Sequence, residues 1–276
     1  MSRFRPGPGW KLGPVILAGC ALAAVAVAGA PATTTVNASN SVPLDHQLCY
    51  VAKGVFKIPA NIKLYNDLYP NGFTPTSIAR QTEFHCNPVT KIISTPSGRQ
   101  VYKAAHPADH LVCMELVYGG WTPQYVQVQN QFGTAVLQTK QAGQFCLPSW
   151  KSLTGPPNKS VSAPPGLSHF ACYFVTVQSG AYNPPAQVLV RDEFTTRNEP
   201  VTLNAVPPFL CLPTAKLVGK KFYAKNNTQY LTCFYASPTR HPAAVWDQNQ
   251  FGTSKMKFVA GQVEYLCLPS TGQIIH

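Results

Sequence analysis

His110-Leu111-Val112-Cys113-Met114, then Asn130-Gln131-Phe132-Gly133-Thr134, then Cys146-Leu147-Pro148-Ser149-Trp150-Lys151 are three short markers in fixed order, and the chain runs through that order four times. The first marker returns as His46-Gln47-Leu48-Cys49-Tyr50, as His169-Phe170-Ala171-Cys172-Tyr173 and, with tyrosine for histidine, as Tyr230-Leu231-Thr232-Cys233-Phe234. The second returns word for word as Asn249-Gln250-Phe251-Gly252-Thr253, and in looser form as Asn66-Asp67-Leu68 and Asp192-Glu193-Phe194. The third returns as Cys86-Asn87-Pro88 with Lys91, as Cys211-Leu212-Pro213 with Lys216, and as Cys267-Leu268-Pro269 with Gly272 in the lysine position. Ordered markers at a fixed period are the signature of an internal repeat.

Each repeat carries one start-cysteine and one end-cysteine. Apart from Cys20, the eight cysteines are Cys49, Cys86, Cys113, Cys146, Cys172, Cys211, Cys233 and Cys267. An even set in an exported chain reads as a disulfide framework. Repeat symmetry leaves two simple patterns. One closes each repeat on itself: Cys49–Cys86, Cys113–Cys146, Cys172–Cys211 and Cys233–Cys267. Its rival exchanges partners between neighbouring repeats: Cys49–Cys146 with Cys86–Cys113, and Cys172–Cys267 with Cys211–Cys233. The shorter loops of the first close at lower entropic cost.

The repeats also alternate. Repeats one and three carry a tail, Gly98-Arg99-Gln100-Val101-Tyr102-Lys103 and Gly219-Lys220-Lys221-Phe222-Tyr223, which two and four lack. A Pro/Gly/Ser-rich stretch at 154–166 reads as a linker by composition. The expected organisation is therefore a pair of repeats present twice, 44–153 (repeats 44–92 and 109–153) and 167–276 (repeats 167–218 and 229–270). Apolar residues recur every second position, as at Val126 and Val128 or Val188 and Val190, and proline or glycine breaks each run. This pattern predicts an all-β fold. The expectation is two tandem small β-barrel or β-sandwich domains, each an internal pseudo-twofold pair of disulfide-linked repeats.

The start of the chain reads differently. Residues 1–11 are basic, Leu12 to Ala30 carry no charge, and small residues follow. This is the layout of a signal peptide, 1–32, cleaved before a flexible leader at 33–43, which makes the protein secreted or extracellular. Two alternatives are a retained anchor through 12–30 and a lipoprotein through Cys20. Without Arg3, Arg5 and Lys11 the balance falls from 22 basic residues against 10 acidic to 19 against 10, still basic. The denser group Lys216, Lys220, Lys221 and Lys225 is either a solvated face or a surface for anionic wall polymer, lipid headgroups or nucleic acid.

Candidate chemistry is sparse. His46, His110 and His169 lie three residues before a start-cysteine, so in a strand they point away from it and cannot share an ion with it. They read as rings bonded to nearby backbone, with no metal and no cofactor implied. No nucleophile motif is present. The acidic pair Asp192-Glu193 is expected to point to opposite strand faces, which disfavours paired-carboxylate hydrolysis. The better lead is aromatic. Trp121, Trp150 and Trp246 sit near turns and suit sugar rings or an apolar partner, unless they close the ends of the core.

With these markers in view, the chain resembles an uncharacterised repeat of bacterial exported proteins. That repeat has the pattern His-x-x-Cys-Tyr, Asp/Asn-Gln-Phe-Gly, Leu-Cys-x-Pro-x-x-Lys, and is classed as a domain of unknown function. The likeness covers about residues 44–270 and is closest in repeat two. The resemblance implies a secreted repeat and brings no catalytic residue. The functional expectation is a secreted, non-catalytic binding or structural module at the cell surface, with an anionic cell-envelope polymer or glycan as partner and no specific nucleic-acid binding. The alternative is a hydrolase acting on cell-envelope polymers.

Overall fold

The computed structural model describes residues 43–275 apart from 162, 196 and 263. The expected signal peptide with Cys20 and the alternative anchor, and the expected leader apart from Pro43, lie outside the described residues. Eighteen strands follow in chain order, with no helix among the described residues. Repeat one supplies β1 (Gln47–Lys53), β2 (Ile62–Asn66), β3 (Tyr69–Phe73), β4 (Ser77–Pro88), β5 (Thr90–Thr95) and β6 (Gly98–Tyr102). Repeat two supplies β7 (His110–Val117), β8 (Tyr125–Asn130) and β9 (Gly133–Ser152). Repeat three supplies β10 (His169–Tyr182), β11 (Val188–Arg191), β12 (Glu199–Val201), β13 (Phe209–Val218) and β14 (Lys221–Tyr223). Repeat four supplies β15 (Tyr230–Ala236), β16 (Ala244–Asn249), β17 (Gly252–Phe258) and β18 (Glu264–Ile275).

The eight cysteine-bearing strands pair antiparallel in a circuit that returns to its start: β1, β4, β7, β9, β10, β13, β15, β18 and back to β1. Within a repeat the two cysteines face each other across the pair, and the disulfides are Cys49–Cys86, Cys113–Cys146, Cys172–Cys211 and Cys233–Cys267. Between repeats the register steps by two residues, so that Phe84, Phe170, Phe209 and Gln47 oppose Cys113, Cys146, Cys233 and Cys267. All eight sulfur-bearing side chains therefore meet inside the ring. Gln47, Leu111, Phe170 and Leu231 form one tier beside them, and Phe84, Gln144, Phe209 and Tyr265 the other. The space left among them is only about 20 Å³. A closed ring of eight strands is just wide enough for such a filling.

The alternate side chains of these strands, such as Leu48, Tyr50, Met114, Phe145, Tyr173 and Phe234, point outward and are still buried. What covers them is the middle segment of each repeat. Each hairpin reaches past the next repeat to the end segment of the one after. Thus β2 of repeat one pairs with β13 of repeat three, and β8 of repeat two with β18 of repeat four. In the same way β11 of repeat three pairs with β5 of repeat one, and β16 of repeat four with β9 of repeat two. At the hairpin turns the Asx side chain accepts the backbone N–H two residues on: Asn66 from Leu68, Asn130 from Phe132, Asp192 from Phe194 and Asn249 from Phe251, at 2.8–3.1 Å. This is the Asx turn, and it explains why the second marker opens on Asn or Asp. Gly133 and Gly252 follow at φ 140° and 119°, where a side chain would be strained.

The strand pairing corrects the expectation of two tandem domains. Each half contributes only four ring strands, and alone it would leave β1 and β9, or β10 and β18, as open edges. Pairing β9 with β10 and β18 with β1 removes both edges and buries their backbone groups in one shared ring. The described residues, 43–275, accordingly form one compact unit. The stretch 154–166 is also tied down. Lys159 N–H donates to Gln248 Oε1 and its carbonyl accepts Gln248 Nε2, both at 3.1 Å, and the carbonyl of Val161 accepts Trp150 Nε1 at 2.9 Å.

Candidate functional site

Four equivalent seats ring the molecule. In three of them the histidine and lysine of one repeat meet the second and third residues of the next repeat's Asx marker; in the fourth, Tyr230 and Gly272 stand in their place against Asp67 and Leu68. His46 bonds Gln131, and Lys91 Nζ lies 5.0 Å from the Phe132 ring centroid. His169 Nε2 lies 2.6 Å from Gln250 Nε2, and Lys216 Nζ lies 4.5 Å from Phe251. Lys91 and Lys216 are fully buried, and their ammonium groups have no hydrogen-bond partner among the described residues. The tail peculiar to repeats one and three supplies a second ring, Tyr102 at 4.6 Å and Tyr223 at 4.5 Å. Burial pushes both amines down to about 7, while two ring faces pull the other way. Burial, then the neighbouring lysine, pushes His46 and His169 down to about 3.

These partners differ from the expected backbone bonds. The reason is that the first residue after the Asx reaches across from a different repeat, which spacing within one repeat does not reveal. In repeat two's seat the partner is Glu193: its carboxylate takes Lys151 as an ion pair and lies 3.1 Å from His110 Nε2. Lys151 Nζ also lies 3.9 Å from the Phe194 centroid.

Around this seat the four repeats stop being alike. His85 occupies the position of Phe145, Leu210 and Leu266; Asn87 that of Leu147, Leu212 and Leu268; Asp247 that of Leu64, Val128 and Val190. The three departures converge. His85 Nδ1 lies 2.9 Å from Asp247 Oδ2, and His85 Nε2 lies 2.7 Å from Asn87 Oδ1. Asn87 Oδ1 also accepts Lys151 Nζ at 3.0 Å, and its amide donates to Asp192 Oδ2 at 2.7 Å. Tyr50 donates to that same oxygen at 2.7 Å, and Ser149 Oγ donates to Asp247 Oδ1 at 3.1 Å. Asp192 can only accept, which fixes the Asn87 amide. Both nitrogens of His85 then face acceptor oxygens, Asp247 Oδ2 and Asn87 Oδ1. Ser149, His85, Asn87 and Asp247 are all fully buried.

The network draws a side chain from every repeat and clamps the β16 hairpin and the β11–β12 turn onto β4 and β9. Asp192 and Glu193 lie in that turn and do not diverge as strand neighbours would. Their carboxylates share Lys151 and its bonded Asn87. Catalysis by nucleophile activation does not follow from it, because Ser149 bonds an aspartate and has no histidine acceptor for its proton. Among the described residues, no group of three His, Cys, Asp or Glu could hold a metal ion.

The reverse side of the same strands is the solvent face. Ser149 and Lys151 bracket Trp150, and Asp247 sits between Trp246 and Gln248. Trp150 opposes Gln248 and Trp246 opposes Ser152, so the two indoles are diagonal neighbours, both half-buried. Lys159 Nζ lies 5.4 Å from the Trp150 ring, and Lys255 Nζ 5.8 Å from the Trp246 ring. Across β17, exposed Lys257 opposes exposed Lys53 of β1. Two like charges in direct cross-strand opposition are unfavourable unless something anionic answers them. Trp121 is not brought to this face; it lies on the β7–β8 connection with its indole N–H buried and without a hydrogen-bond partner among the described residues. Nearby aromatics are also used for packing: Tyr182 is buried in the core and Tyr118 packs on Tyr69 and Phe73.

His85, Asn87, Ser149, Lys151 and Asp247 were not singled out as a group by sequence reasoning. Their signal lay in the comparison of repeats, where Asn87 breaks a Cys-Leu-Pro frame. A family model described as a repeat of unknown function (DUF7450) matches residues 120–269, just over half of the chain. No curated protein and no solved structure matches it.

Proposed function

The chain belongs to this family of repeats of unknown function, and from that premise we propose that it is a secreted, non-catalytic module that binds an anionic, sugar-containing polymer of the cell envelope. The binding face is the outer side of β9, β16 and β17. The observation that carries the reading is the diagonal Trp150–Trp246 pair, with Lys159 and Lys255 over the two rings. Indole faces stack on sugar rings, and the lysines, with Lys53 and Lys257 beyond, answer phosphate or carboxylate groups along a chain. Four disulfides support an oxidising compartment. The binding reading is preferred to the hydrolase because Ser149, His85 and Asp247, the cluster richest in candidate catalytic groups, are buried while the two indoles are partly open.

The test is titration with soluble anionic envelope polysaccharide and with its neutral counterpart. Binding to the anionic form should fall at least tenfold in Trp246→Ala and weaken with salt in a way that Lys255→Glu abolishes. Equal binding of the two polymers, or an unaltered affinity in Trp246→Ala, would refute the reading. Turnover of either polymer would favour the hydrolase.

A further inference from the structure

Repeats two and four close their part of the ring without a tail, so the tails of repeats one and three are not needed for closure. Each tail forms a short hairpin with the preceding end segment, β5–β6 and β13–β14, and the two are built alike. Lys91 opposes Tyr102 and Lys216 opposes Tyr223 on the inner side. One residue along, Ile92 opposes Val101 and Leu217 opposes Phe222 on the outer side. Val101 and Phe222 are 51% and 57% exposed, at equivalent positions of the two hairpins.

The outer faces continue onto neighbouring strands. Ile92 opposes Leu189, which opposes Pro200, so an apolar row crosses the four-stranded sheet β12-β11-β5-β6. By the two-residue period, Arg99, Lys103 and Arg191 share that face, and all three are exposed. On the second hairpin Leu217 opposes Lys63, and exposed Lys220 lies in the turn two residues before Phe222. Both hairpins follow end-cysteine strands, β4 and β13. Alternate strands of an antiparallel ring run the same way, so the two tails leave the ring at the same end.

We propose that these two hairpins are a paired docking surface for an anionic lipid bilayer. Val101 and Phe222 enter the headgroup boundary, and Arg99, Lys103, Lys63 and Lys220 meet the lipid phosphates. Exposed apolar side chains rimmed by cations are what interfacial binding requires. Presentation at two places makes each contact raise the effective concentration of the other. This surface is built from other strands than the Trp150–Trp246 face, so substitutions on the two test the two assignments independently.

The experiment is co-sedimentation of the full chain with phosphatidylglycerol/phosphatidylcholine vesicles and with phosphatidylcholine vesicles. The basic residues Arg3, Arg5 and Lys11 and the apolar run 12–30 are common to every variant, so the reading is the difference between variants on the same vesicles. The parent should partition at least tenfold better onto the anionic vesicles. Val101→Ser/Phe222→Ser together should sharply lower that preference, and Arg99→Glu/Lys220→Glu should lower its salt dependence. Equal partition onto the two vesicles, or a double serine variant that behaves as the parent, overturns the proposal. So does a self-association of the parent that the serine variant loses while vesicle binding persists, since the surface would then serve a second copy of the chain.

Discussion

The ring of Tyr230 fills the space that a Cβ at position 272 would need. Tyr230 stands where the other repeats have histidine, and Gly272 where they have lysine. Their seat faces Asp67 and Leu68, which replace Gln or Glu and Phe, and Tyr230 donates to Asp67 Oδ2 at 2.9 Å. The irregularities of repeats one and four are thus two sides of one altered contact.

Gly272→Ala should therefore cost about 1–3 kcal/mol, the usual penalty of forcing atoms into a packed site. Tyr230→His with Gly272→Lys, Asp67→Gln and Leu68→Phe should recover most of it by rebuilding the common seat. Urea denaturation of the single and quadruple variants checks this. A single variant as stable as the parent contradicts the coupling.

Asp247→Ala leaves His85 and Ser149 without their buried partner and should destabilise by roughly 3–5 kcal/mol. Returning the departures to the repeat consensus, His85→Phe, Asn87→Leu, Asp192→Asn and Asp247→Val, should be neutral or stabilising, since a buried polar network rarely outperforms apolar packing. If the quadruple variant is as damaged as Asp247→Ala, the network is worth more to the fold than its consensus counterpart.

Glu264 is buried and accepts the N–H and hydroxyl of Thr239, both at 2.9 Å. Burial, with Asp192 and Glu199 nearby, raises its carboxyl to about 7. The folded state then holds this proton more tightly than the unfolded chain. Stability from this group is complete below about 4.5 and is lost as pH rises through about 7. Glu264→Gln should flatten melting temperature against pH across that window and raise it above pH 7. An unchanged slope would show that Glu264 does not titrate there.

Every disulfide among the described residues lies within one half of the chain, so none of them bridges the halves. A nick in 154–166 should nonetheless leave them eluting together under native conditions, because β9–β10 and β18–β1 hold them in one ring. They should part only in denaturant. Separation of two folded halves on gel filtration would contradict the shared ring.

Removing one bridge, as Cys113→Ser/Cys146→Ser, opens a loop of 33 residues. The loss should be roughly 3–4 kcal/mol on the loop-entropy scale. Denaturation at equal pH measures it, and non-reducing peptide mapping should recover Cys49 with Cys86 and not with Cys146.

Much was legible from residues alone. The period-two apolar pattern, the β-branched and aromatic runs and the proline breaks dictate strands locally, and the fourfold markers dictate repetition. The pairing within each repeat was the shorter-loop choice, and it is what the ring contains. Trp150 and Trp246 could be nominated because large aromatics near turns are conspicuous in any sequence. What only the tertiary structure decided is which repeat touches which. A strand's open edge is indifferent to sequence distance, so β18 can close on β1 and a hairpin can pass over one repeat to reach another. Local spacing therefore favoured two tandem domains where edge satisfaction produces one ring. For the same reason His85, Asn87, Asp192 and Asp247 read as isolated oddities in the sequence. They become one network only when four repeats are wrapped into contact, because a buried charge finds its partner across space and not along the chain.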